Sequence, residues 1–256
     1  MHRIASLLMH RIASLLMHRI ASLLAGLLLP MAGCGAPPPD GLAVFAAASL
    51  TRSFTDLSDG FPGATVELVF AGSADLLTQL TQGAGADVFA AADTATMDKA
   101  ADAGLLAGPP VPFASNTLTL AVTRGNPKGI KSFQDLDRAS LVVCAVQVPC
   151  GSAFPALQAR TGVRLTPVSE ESSVTDVLNK VITGQADAGL VYVTDAHAAG
   201  PRITAVAFPE AAGAANTYQI AALNSSRNPA LAHRFVDLVT GPTGRRVLEA
   251  AGFGPP

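Results

Sequence analysis

Tryptophan is absent from this 256-residue chain, and tyrosine occurs only at Tyr192 and Tyr218. No aromatic platform is therefore available on which a sugar or a run of bases could stack. Histidine is equally scarce. Of five, His2, His10 and His18 fall in a repeated amino-terminal segment, which leaves His197 and His233 for the remainder, both in polar surroundings that read as surface. No G-x-S-x-G elbow, H-E-x-x-H pair or phosphate-binding G-x-x-x-x-G-K-[ST] loop occurs, so serine hydrolysis, zinc proteolysis and nucleotide hydrolysis lack their usual motifs. The acidic pairs Glu170–Glu171 and Asp98–Asp102 lie on polar stretches and read as solvated faces.

Charge is sparse too, at 14% of residues. Residues 1–33 hold Arg3, Arg11 and Arg19 and no acid, so the 17 basic and 19 acidic residues become 14 against 19 beyond them, net −5. A nucleic-acid partner calls for a basic surface, and none is expected here.

What is present begins with the unit "MHRIASLL", written three times over residues 1–24. Eight residues are too few for a solenoid repeat. The three arginines interrupt the apolar run that a membrane-spanning helix needs. Read from Met17, "MHRIASLLAGLLLPMAGC" has a basic start, an apolar centre and small residues before a cysteine, the layout of a secretory signal; Met1 and Met9 are alternative starts. "PMAGC" resembles a bacterial lipobox with Met31 where leucine is usual, so residues 1–33 are expected to be a lipoprotein-type signal peptide and Cys34 the lipidated first residue. "GAPPPD" continues as a semi-rigid tether over 34–41. The rival is an ordinary exported protein with an incidental Cys34.

The remaining cysteines, Cys144 and Cys150, lie six apart in "VVCAVQVPCG". An extended strand would hold them too far apart to bridge, so a disulfide requires the chain to fold back at 146–149. Outside the membrane thiols tend to pair, which favours the bridge over a metal site with no nearby histidine.

From residue 42 short apolar runs alternate with helical patterns. Strands are expected at 42–47, 65–71, 86–93, 118–125, 140–146, 163–168, 186–193, 202–209 and 217–224. Helices are expected at 49–61, 73–83, 152–161 and 174–184, with two more near 228–240 and 242–251. The alternation implies an α/β fold with parallel sheet. Crossings near 117–121 and 217–222 divide the chain into two lobes, 42–117 with 218–256 and 118–217, with a ligand cleft between them.

Four strand-to-helix junctions run through small or hydroxyl residues: "AAASLT" at Ser49, "FAGSAD" at Ser73, "VPCGSA" at Cys150–Ser152 and "ESSVTD" at Ser173–Val174. Each can be read as a helix cap, and "SVTD" fits the capping-box pattern outright. Helix starts also carry unpaired N–H groups and the positive end of the helix dipole, so several of them converging at one sheet edge could hold an anion.

Three ordered blocks, "VFAAASLT" (44–51), "FAGSADLLTQLTQGAGADVFAAAD" (70–93) and "GLVYVTDA" (189–196), with "GPTGRRVLEAAGFG" (241–254) closing the chain, resemble the molybdate-binding proteins of bacterial ABC importers. The resemblance spans nearly all of 42–254. It implies a two-lobe periplasmic-binding-protein fold of type II-like form. In that fold Ser49 and Ser73 would offer hydroxyl and N–H donors, Cys150 and Val174 backbone N–H donors, and Tyr192 its phenol. Relatives often carry alanine where this chain has Cys150. The ligand implied is molybdate or tungstate, with molybdenum present only inside its oxyanion, no protein atom bound to the metal and no cofactor. The partners implied are an importer's permease and ATPase, and a lipid-anchored monomer outside the cytoplasmic membrane is expected. Rival readings are a binder of sulfate or another tetrahedral oxyanion, a ferric-ion binder, which would want clustered tyrosines where Tyr192 and Tyr218 stand alone, and a serine-dependent enzyme using Ser49 or Ser73.

Overall fold

A computed structural model describes residues 41–256. The expected signal peptide, Cys34 and most of the tether lie outside them. Among the described residues no helix is long and apolar enough to cross a membrane.

The chain opens with β1 (Gly41–Ala47), a one-turn 3-10 helix (Ala48–Leu50) and α1 (Thr51–Asp59), followed by β2 (Thr65–Ala71), α2 (Ser73–Thr81), β3 (Val88–Ala91), α3 (Thr94–Asp102) and β4 (Val111–Asn116). It then builds β5 (Leu118–Thr123), a 3-10 segment (Phe133–Arg138), β6 (Leu141–Cys144), α4 (Phe154–Thr161), β7 (Ser169–Glu171), α5 (Val174–Ile182), β8 (Ala188–Tyr192), α6 (Val193–Ala199) and β9 (Ile203–Val206). Finally β10 (Asn216–Ala222), α7 (Pro229–Thr240) and α8 (Pro242–Ala250) complete the chain.

Two five-stranded sheets result, ordered β2-β1-β3-β10-β4 and β7-β6-β8-β5-β9. In each sheet four strands run one way and a single strand opposes its two neighbours: β10 runs against β3 and β4, and β5 against β8 and β9. The parallel sheet expected from the sequence is therefore mixed. The chain leaves the first sheet at Asn116, enters the second at Leu118, and returns between Val206 and Asn216.

Every residue of β1 is buried. Its period-2 alternation sends Leu42, Val44 and Ala46 to one face, where Phe54, Phe61 and Phe235 pack. Phe45 goes to the other, beside Leu76, Phe89 and Met97. The second sheet has its own core, in which Val177 and Val181 of α5 lie against it. A Cβ on Gly189 would come within 2.6 Å of Val177 Cγ1, so the small residue lets this helix approach β8.

Local expectations failed where a competing force was strong. Helix α1 stops at Gly60, yet Phe61 stays buried by packing edge-on to Phe235, with ring centroids 5.5 Å apart. Residues 163–168 form no strand. Pro167 has no N–H to give a ladder, and the Leu165 N–H donates to Gln158 Oε1 (2.7 Å), so pairing begins only at Ser169. Strand β4 and helices α3 and α6 had no clear signal, being short and rich in alanine or polar residues.

Candidate functional site

At the carboxyl end of β1 the chain turns through Ala48–Leu50, and Ser49 makes no capping bond. Its hydroxyl instead lies 2.8 Å from that of Tyr218 on β10. The cap reading of Ser49 is thus replaced by a tertiary contact.

Ser73 is the first residue of α2, with Gly72 in the capping position. It is buried, and its hydroxyl accepts from the Ala92 N–H (3.0 Å) just beyond β3. Gly72 marks where the two sheets' loops meet. A Cβ there would lie 2.0 Å from the Ser172 carbonyl oxygen, a clash no side chain avoids without separating the two segments.

In the second sheet, Cys144 at the end of β6 is disulfide-bonded to Cys150, with Cα atoms 5.6 Å apart. The fold-back this needs is a pair of tight turns, in which the Val148 N–H donates to the Ala145 carbonyl (3.0 Å) and the Gly151 N–H to the Val148 carbonyl (3.0 Å). The Cys150 N–H takes no part in these turn bonds. Gly151 is obligatory: a Cβ would stand 2.1 Å from the Ala145 oxygen.

Ser173 caps α5 as its pattern anticipated. It accepts from the Asp176 N–H (3.2 Å) and donates to the Asp176 carboxylate (2.6 Å). Val174 is the first residue of that helix, where N–H groups have no intrahelical acceptor.

Tyr192 ends β8 and is buried. Its hydroxyl accepts from the Asn216 amide at 2.7 Å. The two tyrosines, 26 positions apart in sequence, bring their rings to a centroid distance of 6.0 Å and so do not stand alone. Burial, then the neighbouring phenol, pushes the Tyr192 hydroxyl well above its ordinary value, and burial raises Tyr218 likewise. Both are therefore neutral hydroxyls, each with a proton to donate. Among the described residues no cluster of three His, Cys, Asp or Glu side chains is placed to hold a metal.

All five residues singled out from sequence, Ser49, Ser73, Cys150, Val174 and Tyr192, line one small cavity, along with Gly72, Ala92 and Pro149. Space for the centres of water-sized atoms amounts to about 20 Å³, room for one small ion rather than an organic molecule. No charged side chain lines it. The alanines before Ser49 line it too, and their small size lets backbone come close. A separate cavity of about 390 Å³ adjoins Ser49 on its other side and is edged by Arg52, Asp195, His197 and Arg202. Burial raises the Asp195 carboxyl to about 7, partly offset by the Tyr192 N–H that donates to it (3.2 Å).

Neither Ser49 nor Ser73 has a base as its partner, since their hydroxyls meet a phenol and an amide N–H. The arrangement can surround an anion with neutral donors; activation of a serine nucleophile would need a general base in reach. Sequence reading missed Gly72, Asn216 and Tyr218. The one available signal was the crossing near 217–222, which returns the chain to the cleft.

The sequence profile of the bacterial extracellular solute-binding proteins matches residues 42–254. Over 221 residues the chain is 58% identical to the molybdate-binding protein ModA of Mycobacterium tuberculosis H37Rv, covering 84% of this chain and 85% of that protein. Among solved structures, the periplasmic molybdate-binding protein of Azotobacter vinelandii superposes with a TM-score of 0.71 at 21% identity, covering 84% and 99% of the two chains. The sulfate-binding protein SubI of M. tuberculosis H37Rv superposes with a TM-score of 0.72 at 19% identity, covering 84% and 86%. Both structures share the two-lobe α/β form, and at such identities they speak to fold alone.

Proposed function

The chain belongs to the bacterial extracellular solute-binding protein family, and on that footing we propose that it captures molybdate outside the cytoplasmic membrane and delivers it to an ATP-driven importer. The observation that carries this is the uncharged cavity on which Ser49, Ser73, Cys150, Val174 and Tyr192 converge from both sheets.

Molybdate at neutral pH is a fully deprotonated dianion. It can accept hydrogen bonds at all four oxygens and has none to give, so a cavity without a carboxylate suits it. Protonated phosphate would need an acceptor for its own hydrogen. The Ser49 and Ser73 hydroxyls, the Tyr192 phenol and the N–H groups of the helix starts and of Cys150 would replace its hydration shell, and bonds to an ionised acceptor are the stronger kind. Sulfate carries the same charge and shape, so discrimination falls to size: a cavity closed around the larger ion leaves the smaller with overlong bonds. Tungstate, close to molybdate in size, is expected to bind as well.

In this reading the lobes close over the ion by bending at the Asn116–Leu118 crossing and the Val206–Asn216 return, and no chemistry is done on it. The chain acts as a monomer, lipid-anchored through Cys34, and hands its cargo to a permease coupled to an ATPase. Calorimetric titration of the purified chain with molybdate, tungstate, sulfate and phosphate tests the reading. Tight 1:1 binding of the first two and far weaker binding of the others is expected, and equal affinity for sulfate would replace it with a sulfate or general oxyanion carrier. Metabolic labelling with a fatty acid, lost in Cys34→Ala, tests the anchor.

A further inference from the structure

Resting on the oxyanion reading, we propose that Asn216 is a positioning residue: it holds the Tyr192 hydroxyl as an acceptor on one side, so that its single proton is offered to the anion on the other.

The direction of this contact follows from the neighbours. The Asn216 amide nitrogen stands 3.2 Å from the Ala92 carbonyl oxygen and 3.1 Å from the Pro149 carbonyl oxygen. Carbonyl oxygens only accept, so the side of the amide facing them is its NH₂ group. The same nitrogen lies 2.7 Å from Tyr192 Oη, the shortest of the three contacts. An NH₂ group has no lone pair to receive the phenolic proton, so Tyr192 accepts here and its O–H must point elsewhere. The neutral Tyr218 hydroxyl, which also meets Ser49 (2.8 Å), keeps a lone pair that can accept the Tyr192 proton while the cavity is empty. An anion in the cavity that Tyr192 lines is then the strongest remaining acceptor.

The placement also makes the arrangement conditional on closure. Ala92 follows β3 in the first sheet, while Pro149 and Tyr192 belong to the second. Asn216 opens β10 at the point of return between them. Only when the two sides are together does one amide reach all three oxygens, so the Tyr192 proton is aimed in the closed form and free to rotate in the open one.

A double-mutant cycle tests this, comparing wild type, Asn216→Ala, Tyr192→Phe and the double variant by molybdate calorimetry, with ligand-free melting temperatures alongside. If Asn216 acts through the Tyr192 hydroxyl, its removal weakens binding by about 10-fold or more in the wild-type background and by less than about 3-fold once that hydroxyl is gone. Asn216→Asp, of the same shape, gives a second arm. It turns the partner into an acceptor that draws the Tyr192 proton away from the cavity and adds a negative charge beside the anion, and should weaken molybdate more than Asn216→Ala does. Equal losses in both tyrosine backgrounds would overturn the inference and leave Asn216 as a link between segments. A wild-type chain that binds none of molybdate, tungstate, sulfate and phosphate would overturn the oxyanion reading itself.

Discussion

The hydroxyl of Ser49 lies 2.8 Å from the hydroxyl of Tyr218, a residue 169 positions later in the chain. Tyr218 is fully buried, so Ser49 is a principal partner for a polar group with no access to water. Ser49→Ala should therefore act twice. Loss of a donor to a charged ligand costs roughly 1.5–3 kcal/mol, or about 10–150-fold in molybdate affinity. The Tyr218 phenol loses one partner and keeps Asn116 and Tyr192, which lowers stability by about 0.5–1.5 kcal/mol. Calorimetry and denaturant unfolding read the two effects separately, and an unchanged affinity would place the anion elsewhere.

Gly72 should be a determinant of closure. Its missing Cβ leaves room for the Ser172 oxygen, which an alanine methyl would meet at 2.0 Å. Gly72→Ala is expected to keep the two sheets folded and hold them apart. Overpacking of about 1–3 kcal/mol corresponds to roughly 5–150-fold weaker molybdate binding. Small-angle scattering should report a larger radius with molybdate present than for wild type; a wild-type radius and affinity would show that the contact yields freely.

The Cys144–Cys150 bridge closes a short loop, so its entropic contribution sits at the lower end, about 2 kcal/mol. Cys144→Ser with Cys150→Ser should lower the unfolding midpoint accordingly. Because the bridge holds the loop that presents the Cys150 N–H, molybdate affinity should fall as well. A fall in stability with affinity untouched would mean that the turns through Val148 and Gly151 suffice to hold that loop.

Asp195 predicts a pH dependence of stability. Its carboxyl is raised from 3.8 to about 7 by burial. The folded chain then holds a proton that the unfolded chain has released between these values, so stability falls as pH rises from about 4 to about 7 and levels off above. Asp195→Asn keeps an acceptor for the Tyr192 N–H and removes the titration. Its melting temperature should vary less than that of wild type between pH 5 and 8, with the variant gaining most at the alkaline end. Parallel profiles for the two proteins would show that Asp195 does not titrate there.

The anion-site candidates were legible because their signals are local. A buried strand that runs into a helix through small and hydroxyl residues is written within eight positions, as in "FAAASLTR" or "FAGSADLL". The ordered blocks made the family resemblance possible. Ser173 kept its local role, since its cap acts within three residues. Ser49 did not, because a hydroxyl 169 residues away in sequence was a better partner than its own helix.

By itself, the sequence determined the alternation of strands and helices and the strand-to-helix junctions at Ser49, Ser73, Cys150 and Val174, since burial patterns and helix starts are set by near neighbours; Tyr192 came only with the family resemblance. The sequence also required a fold-back at 146–149 if Cys144 and Cys150 were to pair. Only the tertiary structure decided that β10 and β5 run antiparallel within their sheets and that Tyr192 and Tyr218 stand side by side. It alone placed the Gly72 backbone against Ser172 and aimed Asn216 at Tyr192. These relationships join segments from different strands across the cleft, and their geometry depends on how two separately packed cores meet, which no local pattern of residues records.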